Sequence, residues 1–150
     1  MRLKLNEKAP DFELFNEEGC TVALSDFHGM WVLLYFYPKD DTPGCTKEAE
    51  TLRDFYDELS ARDVVVLGVS TDSPKSHTRF KEKLNLPFSL LADTEGEVCE
   101  LYSALNENGR AKRLSFLINP DGLLVKIYNE VRPAEHPQEV LEDLAEFQEL

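Results

Sequence analysis

The run Trp31-Val32-Leu33-Leu34-Tyr35-Phe36-Tyr37, closed by Pro38, constrains this chain more than any other segment. Aromatic and β-branched residues in unbroken succession read as a buried strand. A helical pattern follows within ten residues. Ala49, Leu52, Tyr56 and Leu59 recur at helical spacing, Thr42 is placed to cap the helix, and Pro43 suits its first position. The pattern predicts a helix from about Cys45 to Ala61, with Cys45 in its first turn.

Unpaired amide N–H groups and the positive end of the helix dipole favour an anion at such a position. A thiol there can drop from a pKa of about 8.5 into the range of about 3.5–7.5. At about 100° per residue, positions 49, 52, 56 and 59 fall within roughly 40° of the direction of Cys45. The sulfur then stands at the open end of the stripe that packs on the sheet, in a shallow, partly desolvated pocket. Desolvation raises a thiol pKa, so the helix terminus and a cation must outweigh it. The competing reading is a buried structural cysteine, since Cys is among the most buried residue types.

The remaining segments alternate. Residues 11–15 and 21–24 flank Asn16-Glu17-Glu18-Gly19 and read as an N-terminal β-hairpin. Val64 to Val69 is a second buried strand, and Ser73-Pro74 opens a helix that runs to about Asn85. Phe88 to Leu91 is a short strand, and Thr94-Glu95-Gly96-Glu97 has a capping-box pattern ahead of a helix through about Leu105. Leu114 to Ile118 and Leu123 to Tyr128 flank the tight turn at Asn119-Pro120-Asp121-Gly122, and a helix from near Pro137 closes the chain. This order is that of an α/β domain of thioredoxin-like type, with a mixed central sheet flanked by helices and an added N-terminal hairpin. The sheet is expected to be parallel inside and antiparallel at one edge. Sites in such sheets lie at the carboxyl ends of strands, where Cys45 falls.

The 150 residues suit one domain, with no repeat or linker, and the 42% apolar and 30% charged content is that of a globular chain. Met1 to Pro10 lacks the apolar core of a signal peptide, and the longest apolar run is too short to span a bilayer, so a cytoplasmic protein is expected. A net charge of −13 argues against nucleic acid and anionic membrane surfaces as partners. Six of the acids lie from Glu135 onward, where Val140, Leu141, Leu144, Phe147 and Leu150 keep helical spacing, so they read as a solvated helix face. His28, His77 and His136 match no ligand spacing, and each reads as a surface or capping residue. Cys20, Cys45 and Cys99 form no C-x-x-C pair, which leaves neither a zinc knuckle nor a thioredoxin-type dithiol. No metal site is expected.

Residues Phe36 to Ala49, with Pro38, Thr42 and Cys45 in Pro-x-x-x-Thr-x-x-Cys spacing, resemble the signature of the peroxiredoxins. The form is that of the bacterioferritin comigratory protein, or Q-type, branch. The similarity extends through Ala9-Pro10-Asp11-Phe12, Gly68 to Asp72, Arg113 to Ile118 and Val131 to His136. It implies a thiol-dependent peroxidase that reduces hydrogen peroxide and alkyl hydroperoxides without a metal or organic cofactor. In that reading Cys45 is the peroxidatic cysteine, which becomes a sulfenic acid. Thr42 matches the threonine that hydrogen-bonds the peroxide, and Pro38 the proline that shields the pocket. Arg113 matches the arginine that stabilises the thiolate and the leaving oxygen. By spacing alone Arg113 is one more solvated base beside Arg110 and Lys112. Backbone N–H groups of Gly44 and Cys45 are expected to help bind the peroxide.

One departure stands out. Many members of this branch carry a resolving cysteine five residues after the first, where this chain has Glu50; others place it in the next helix, and Lys75 to Leu84 contains none. A one-cysteine mechanism is therefore expected, with the sulfenic acid reduced by an external thiol such as thioredoxin. The alternatives are a Cys45–Cys99 disulfide, a thioredoxin-like disulfide reductase, and a redox-inert thioredoxin-like binding module. The segment between Cys99 and Arg113 is shorter than in many relatives, and the branch is often monomeric, so a monomer or weak homodimer is expected.

Overall fold

The computed structural model describes residues 3–148. Its centre is the buried run identified above. Strand β3 (Trp31–Phe36) lies parallel to β4 (Val64–Ser70), and β4 parallel to β5 (Ser89–Ala92). On the other side of β3, β6 (Leu114–Ile118) and then β7 (Leu124–Tyr128) pair antiparallel. The N-terminal hairpin, β1 (Glu13–Asn16) with β2 (Thr21–Ala23), joins through antiparallel pairing of β1 with β5, at Phe15 to Ala92 and Asn16 to Leu91. The order of this seven-stranded sheet is β2-β1-β5-β4-β3-β6-β7. It is antiparallel at both edges rather than one, because β1 recruits a strand far away in sequence and that pairing leaves no local signature.

Alternation along β3 sends its side chains to two cores. Leu33, Tyr35 and Tyr37 enter one, with Cys45, Ala49, Leu52, Phe80, Leu84 and Leu144. Val32, Leu34 and Phe36 enter the other, with Phe12, Cys99, Tyr102 and Phe116. The first is roofed by helices α1 (Pro43–Asp54), α2 (Tyr56–Ala61), α3 (Pro74–Leu84) and α5 (His136–Gln148). The second is closed by α4 (Glu97–Leu101) and the N-terminal segment. This is the expected thioredoxin-like architecture. No helix among the described residues is long and apolar enough to cross a membrane.

Two helix boundaries differ from expectation. The helix predicted over residues 45–61 is broken at Phe55 (φ −100°, ψ 6°), giving α1 and α2. Ala49 and Leu52 stay buried in α1 and Leu59 in α2. The inward stripe continues across the break, so periodicity is blind to it. The helix expected to reach Leu105 stops at Leu101. Ser103 takes a left-handed conformation (φ 54°), Ala104 N–H donates to Cys99 O (2.7 Å), and Ser103 N–H donates to Glu100 O (3.0 Å). These two bonds make a Schellman terminus. The start of α4 also differs. Asp93, not Thr94, satisfies its first amides, accepting from Val98 N–H (3.2 Å) and Cys99 N–H (2.7 Å). At α3 the expected cap holds, with Ser73 Oγ accepting from Ser76 N–H at 3.1 Å.

Candidate active site

Pro43 occupies the first position of α1 and Cys45 lies in its first turn, as expected. The first intrahelical bond runs from Thr46 N–H to Thr42 O (2.8 Å). Helix geometry leaves the amides of Gly44 and Cys45 without intrahelical acceptors, at the positive end of the helix. Thr42 has the extended backbone of an N-cap (φ −100°, ψ 155°), but its side chain makes no cap bond. Its hydroxyl donates instead to Lys39 O at 2.8 Å. With that proton committed, the oxygen's lone pairs are available to accept.

Cys45 is deeper than the shallow pocket expected, with 1% exposure. Arg113 comes to it from the residue just before β6, and its Nη2 donates to Cys45 Sγ across 3.4 Å. The other guanidinium nitrogen, Nη1, donates to Glu48 Oε1 at 2.6 Å. Glu48 sits one helical turn after Cys45 and is fully buried. Burial pushes its carboxyl up to about 7 against the pull of Arg113, and its Oε2 has no hydrogen-bond partner among the described residues. Burial opposes the charge on Arg113, but Glu48 and Cys45 more than offset it, leaving the guanidinium pKa above its ordinary value. Gly44 makes room for this approach: a Cβ there would lie 2.9 Å from Arg113 Nη2.

In the core that Cys45 shares, Tyr35 stacks on Tyr37 with centroids 5.4 Å apart. The Tyr35 hydroxyl is buried without a partner among the described residues, and its pKa is pushed well up by burial, then by Glu48 and Cys45. Pro38, half-buried, lies two residues past the end of β3. The structure thus brings Cys45, Gly44, Thr42 and Pro38 to the carboxyl end of β3, with Arg113 delivered by the neighbouring strand.

It separates Cys99 from them. Cys99 is fully buried in the core on the opposite face of the sheet, and burial followed by Asp93 pushes its thiol pKa up. Cys20 is exposed in the hairpin.

Sequence reasoning overlooked Glu48, although an acid three residues after Cys45 on an inward helix face is a readable signal. The histidines also need correction. His28 is exposed, but His77 and His136 are buried. His77 precedes Phe80 and Leu84 by three and seven residues, which places it on the buried side of α3. His136 lies between Ser115 Oγ (2.8 Å) and Glu139 Oε1 (3.3 Å), its pKa lowered by burial.

A thioredoxin-like sheet that presents a cysteine sulfur to a helix N-terminus and an arginine defines a thiol-based redox protein. The comparisons narrow the class. Residues 5–127 match the AhpC/TSA family. The peroxiredoxin Bcp of Bacillus subtilis is 43% identical over 156 aligned positions, covering 99% of both chains. Among solved structures, PrxQ of Xylella fastidiosa superposes with a TM-score of 0.92 at 29% identity, covering 99% of each chain. The bacterioferritin comigratory protein of Xanthomonas campestris, whose alkyl peroxide reduction has been described, gives 0.85 at 31% identity and 91% coverage of each. The chain belongs to the AhpC/TSA family and is a peroxiredoxin of the Bcp type, a thiol-dependent peroxidase. Its substrates are hydroperoxides and its reductant is a thiol.

Proposed function

We propose that Cys45 is the peroxidatic nucleophile and that this peroxidase works through a single cysteine. The observation that carries the reading is the 3.4 Å contact from Arg113 Nη2 to Cys45 Sγ at the first turn of α1. The thiolate of Cys45 attacks the terminal oxygen of a hydroperoxide. An S–O bond forms, the O–O bond breaks, and the departing alkoxide takes a proton to leave as an alcohol or water. Arg113 and the amides of Gly44 and Cys45 face the charge that builds up on the oxygens. Thr42, its own proton given to Lys39, accepts a hydrogen bond from the peroxide O–H. Pro38 excludes water from the approach.

The sulfenic acid then condenses with an external thiol, releasing water and forming a mixed disulfide. A second thiol displaces that bond and returns Cys45, leaving the reductant oxidised. Thioredoxin is the reductant we favour. Burial of Cys99 behind the sheet supports this scheme over an internal disulfide. The chain acts as one domain in the cytoplasm, as a monomer or weak homodimer.

The test is single-turnover consumption of hydrogen peroxide by the reduced protein. Stoichiometric loss of peroxide is expected, abolished in Cys45→Ser. Retention of the full rate by that variant would overturn the assignment.

A further inference from the structure

Asp40 lies between Pro38 and Thr42, in the loop that leads from β3 into α1, and its side chain is buried. It is held from several sides. Tyr37 Oη donates to Asp40 Oδ1 across 2.6 Å, Ser76 Oγ donates to Oδ2 across 2.8 Å, and His77 Nδ1 lies 2.7 Å from the same Oδ2. The backbone N–H of Asp40 donates to Asp72 Oδ2 (2.8 Å), which also accepts from Ser70 Oγ (2.6 Å). On its far side His77 Nε2 meets the carbonyl oxygen of Leu91 at 3.0 Å. Three buried side-chain atoms lack partners among the described residues, and none belongs to this cluster.

The proton count follows from the partners. A carbonyl oxygen only accepts, so Nε2 of His77 carries a proton. The contact between Nδ1 and Asp40 Oδ2 needs one more between them, whichever atom it rides on. Donor atoms of Asp40, Asp72 and His77 cluster within 4.8 Å, which raises the question of a metal. Ligands around a tetrahedral zinc at about 2.0–2.1 Å stand about 3.3 Å apart. The 2.7 Å between Nδ1 and Oδ2 is instead a hydrogen-bond length, and both lone-pair positions of that Oδ2 are already engaged, by His77 and by Ser76. The cluster is a proton-bridged clamp.

What it clamps is the peroxide-receiving loop. Asp40 is two residues from Pro38 on one side and from Thr42 on the other, and its partners stand on the end of β3, on α3 and on the segment between β4 and α3. A carboxylate met from three directions fixes its backbone more tightly than a single contact could. Resting on the reading of Cys45 as nucleophile, we propose that Asp40 and His77 are positioning residues for peroxide reduction. Their bridge locks residues 38–42 onto α3 and sets where Thr42 and the first amides of α1 meet the peroxide.

Two reagents for the same sulfur test this. Hydrogen peroxide requires the positioned loop, whereas iodoacetamide requires only an accessible thiolate. Asp40→Ala and His77→Ala are expected to lower the peroxide rate constant about 10- to 100-fold, the scale of a misplacement near 1 Å, with the alkylation rate unchanged. Asp40→Asn, whose amide can donate to Nδ1 while its oxygen accepts from Tyr37, is expected to restore most of the loss. Should the alanine variants fail to fold, Tyr37→Phe removes one anchor without changing shape, and a selective fall in the peroxide rate is expected there too. An undiminished peroxide rate, or peroxide and alkylation rates falling together, would overturn the proposal. Failure of the nucleophile assignment is separately visible, as peroxide consumption surviving in Cys45→Ser.

Discussion

Arg113 bridges Cys45 and Glu48: Nη2 is 3.4 Å from the sulfur while Nη1 donates to Glu48 Oε1 at 2.6 Å. One planar fork spans two groups a helical turn apart. A lysine offers a single point charge and cannot span both. Arg113→Ala is expected to slow the reaction of Cys45 with hydrogen peroxide by about 10²–10³-fold, the cost of removing one donor aimed at developing charge. Arg113→Lys should recover little of it. Stopped-flow measurement of the peroxide rate constant checks both, and a Lys variant close to wild type would refute the fork geometry.

Glu48 makes stability depend on pH. Its carboxyl is raised to about 7 by burial, from an ordinary value of 4.5. Between those values the folded protein holds a proton that the unfolded chain releases, so stability is lost as pH rises through this window. A shift of that size corresponds to about 3 kcal/mol across it. Glu48→Gln carries no such titration. Urea unfolding of both proteins from pH 4 to pH 8 should show the wild type losing stability relative to the variant. A difference that stays flat with pH would rule the effect out.

Gly44 separates reactivity from stability. The Cβ of an alanine would sit 2.9 Å from Arg113 Nη2, too close for the guanidinium to keep its place. The helix itself favours Ala over Gly by up to about 1 kcal/mol. Gly44→Ala is therefore expected to react with peroxide about ten-fold more slowly, through displacement of Arg113, while its melting temperature changes less, because the helix gain offsets part of what is lost when buried Glu48 gives up its partner. Calorimetry and the peroxide rate, measured on one sample, decide it; an unchanged rate would show that the guanidinium can shift without consequence.

The strand from Trp31 to Phe36 and the cysteine at the following helix start were legible because both signals are local: composition for the strand, Pro43 and spacing for the helix. Arg113 was legible only through its resemblance to a family strand, since nothing near it in sequence distinguishes it from Arg110 and Lys112. Glu48 and His77 were passed over because polar residues on helices read as solvent-facing unless the stripe is traced through them. For His77 that stripe continues at Phe80 and Leu84, all three buried in α3. The pairing of β1 with β5 and the break at Phe55 had no local signal. The first depends on a distant partner, and the second leaves the buried stripe continuous.

Cys99 belongs to a different compartment from Cys45. It is fully buried against Phe12, Val98 and Tyr102 on the other face of the sheet, and its amide is tied to Asp93 Oδ2 at 2.7 Å. To meet Cys45 it would have to leave that core and pass the sheet edge, exposing apolar surface on the way. Its thiol is held protonated by burial and by Asp93, which also makes it a poor nucleophile toward a sulfenic acid. Cys99→Ala is accordingly expected to keep full turnover with an external thiol, at a modest cost in stability. Intact-mass analysis of the wild type after one equivalent of peroxide should show the gain of a single oxygen, the mark of a sulfenic acid. Loss of two hydrogens, absent from Cys99→Ala, would mean that the two cysteines do meet and that the single-cysteine scheme is wrong.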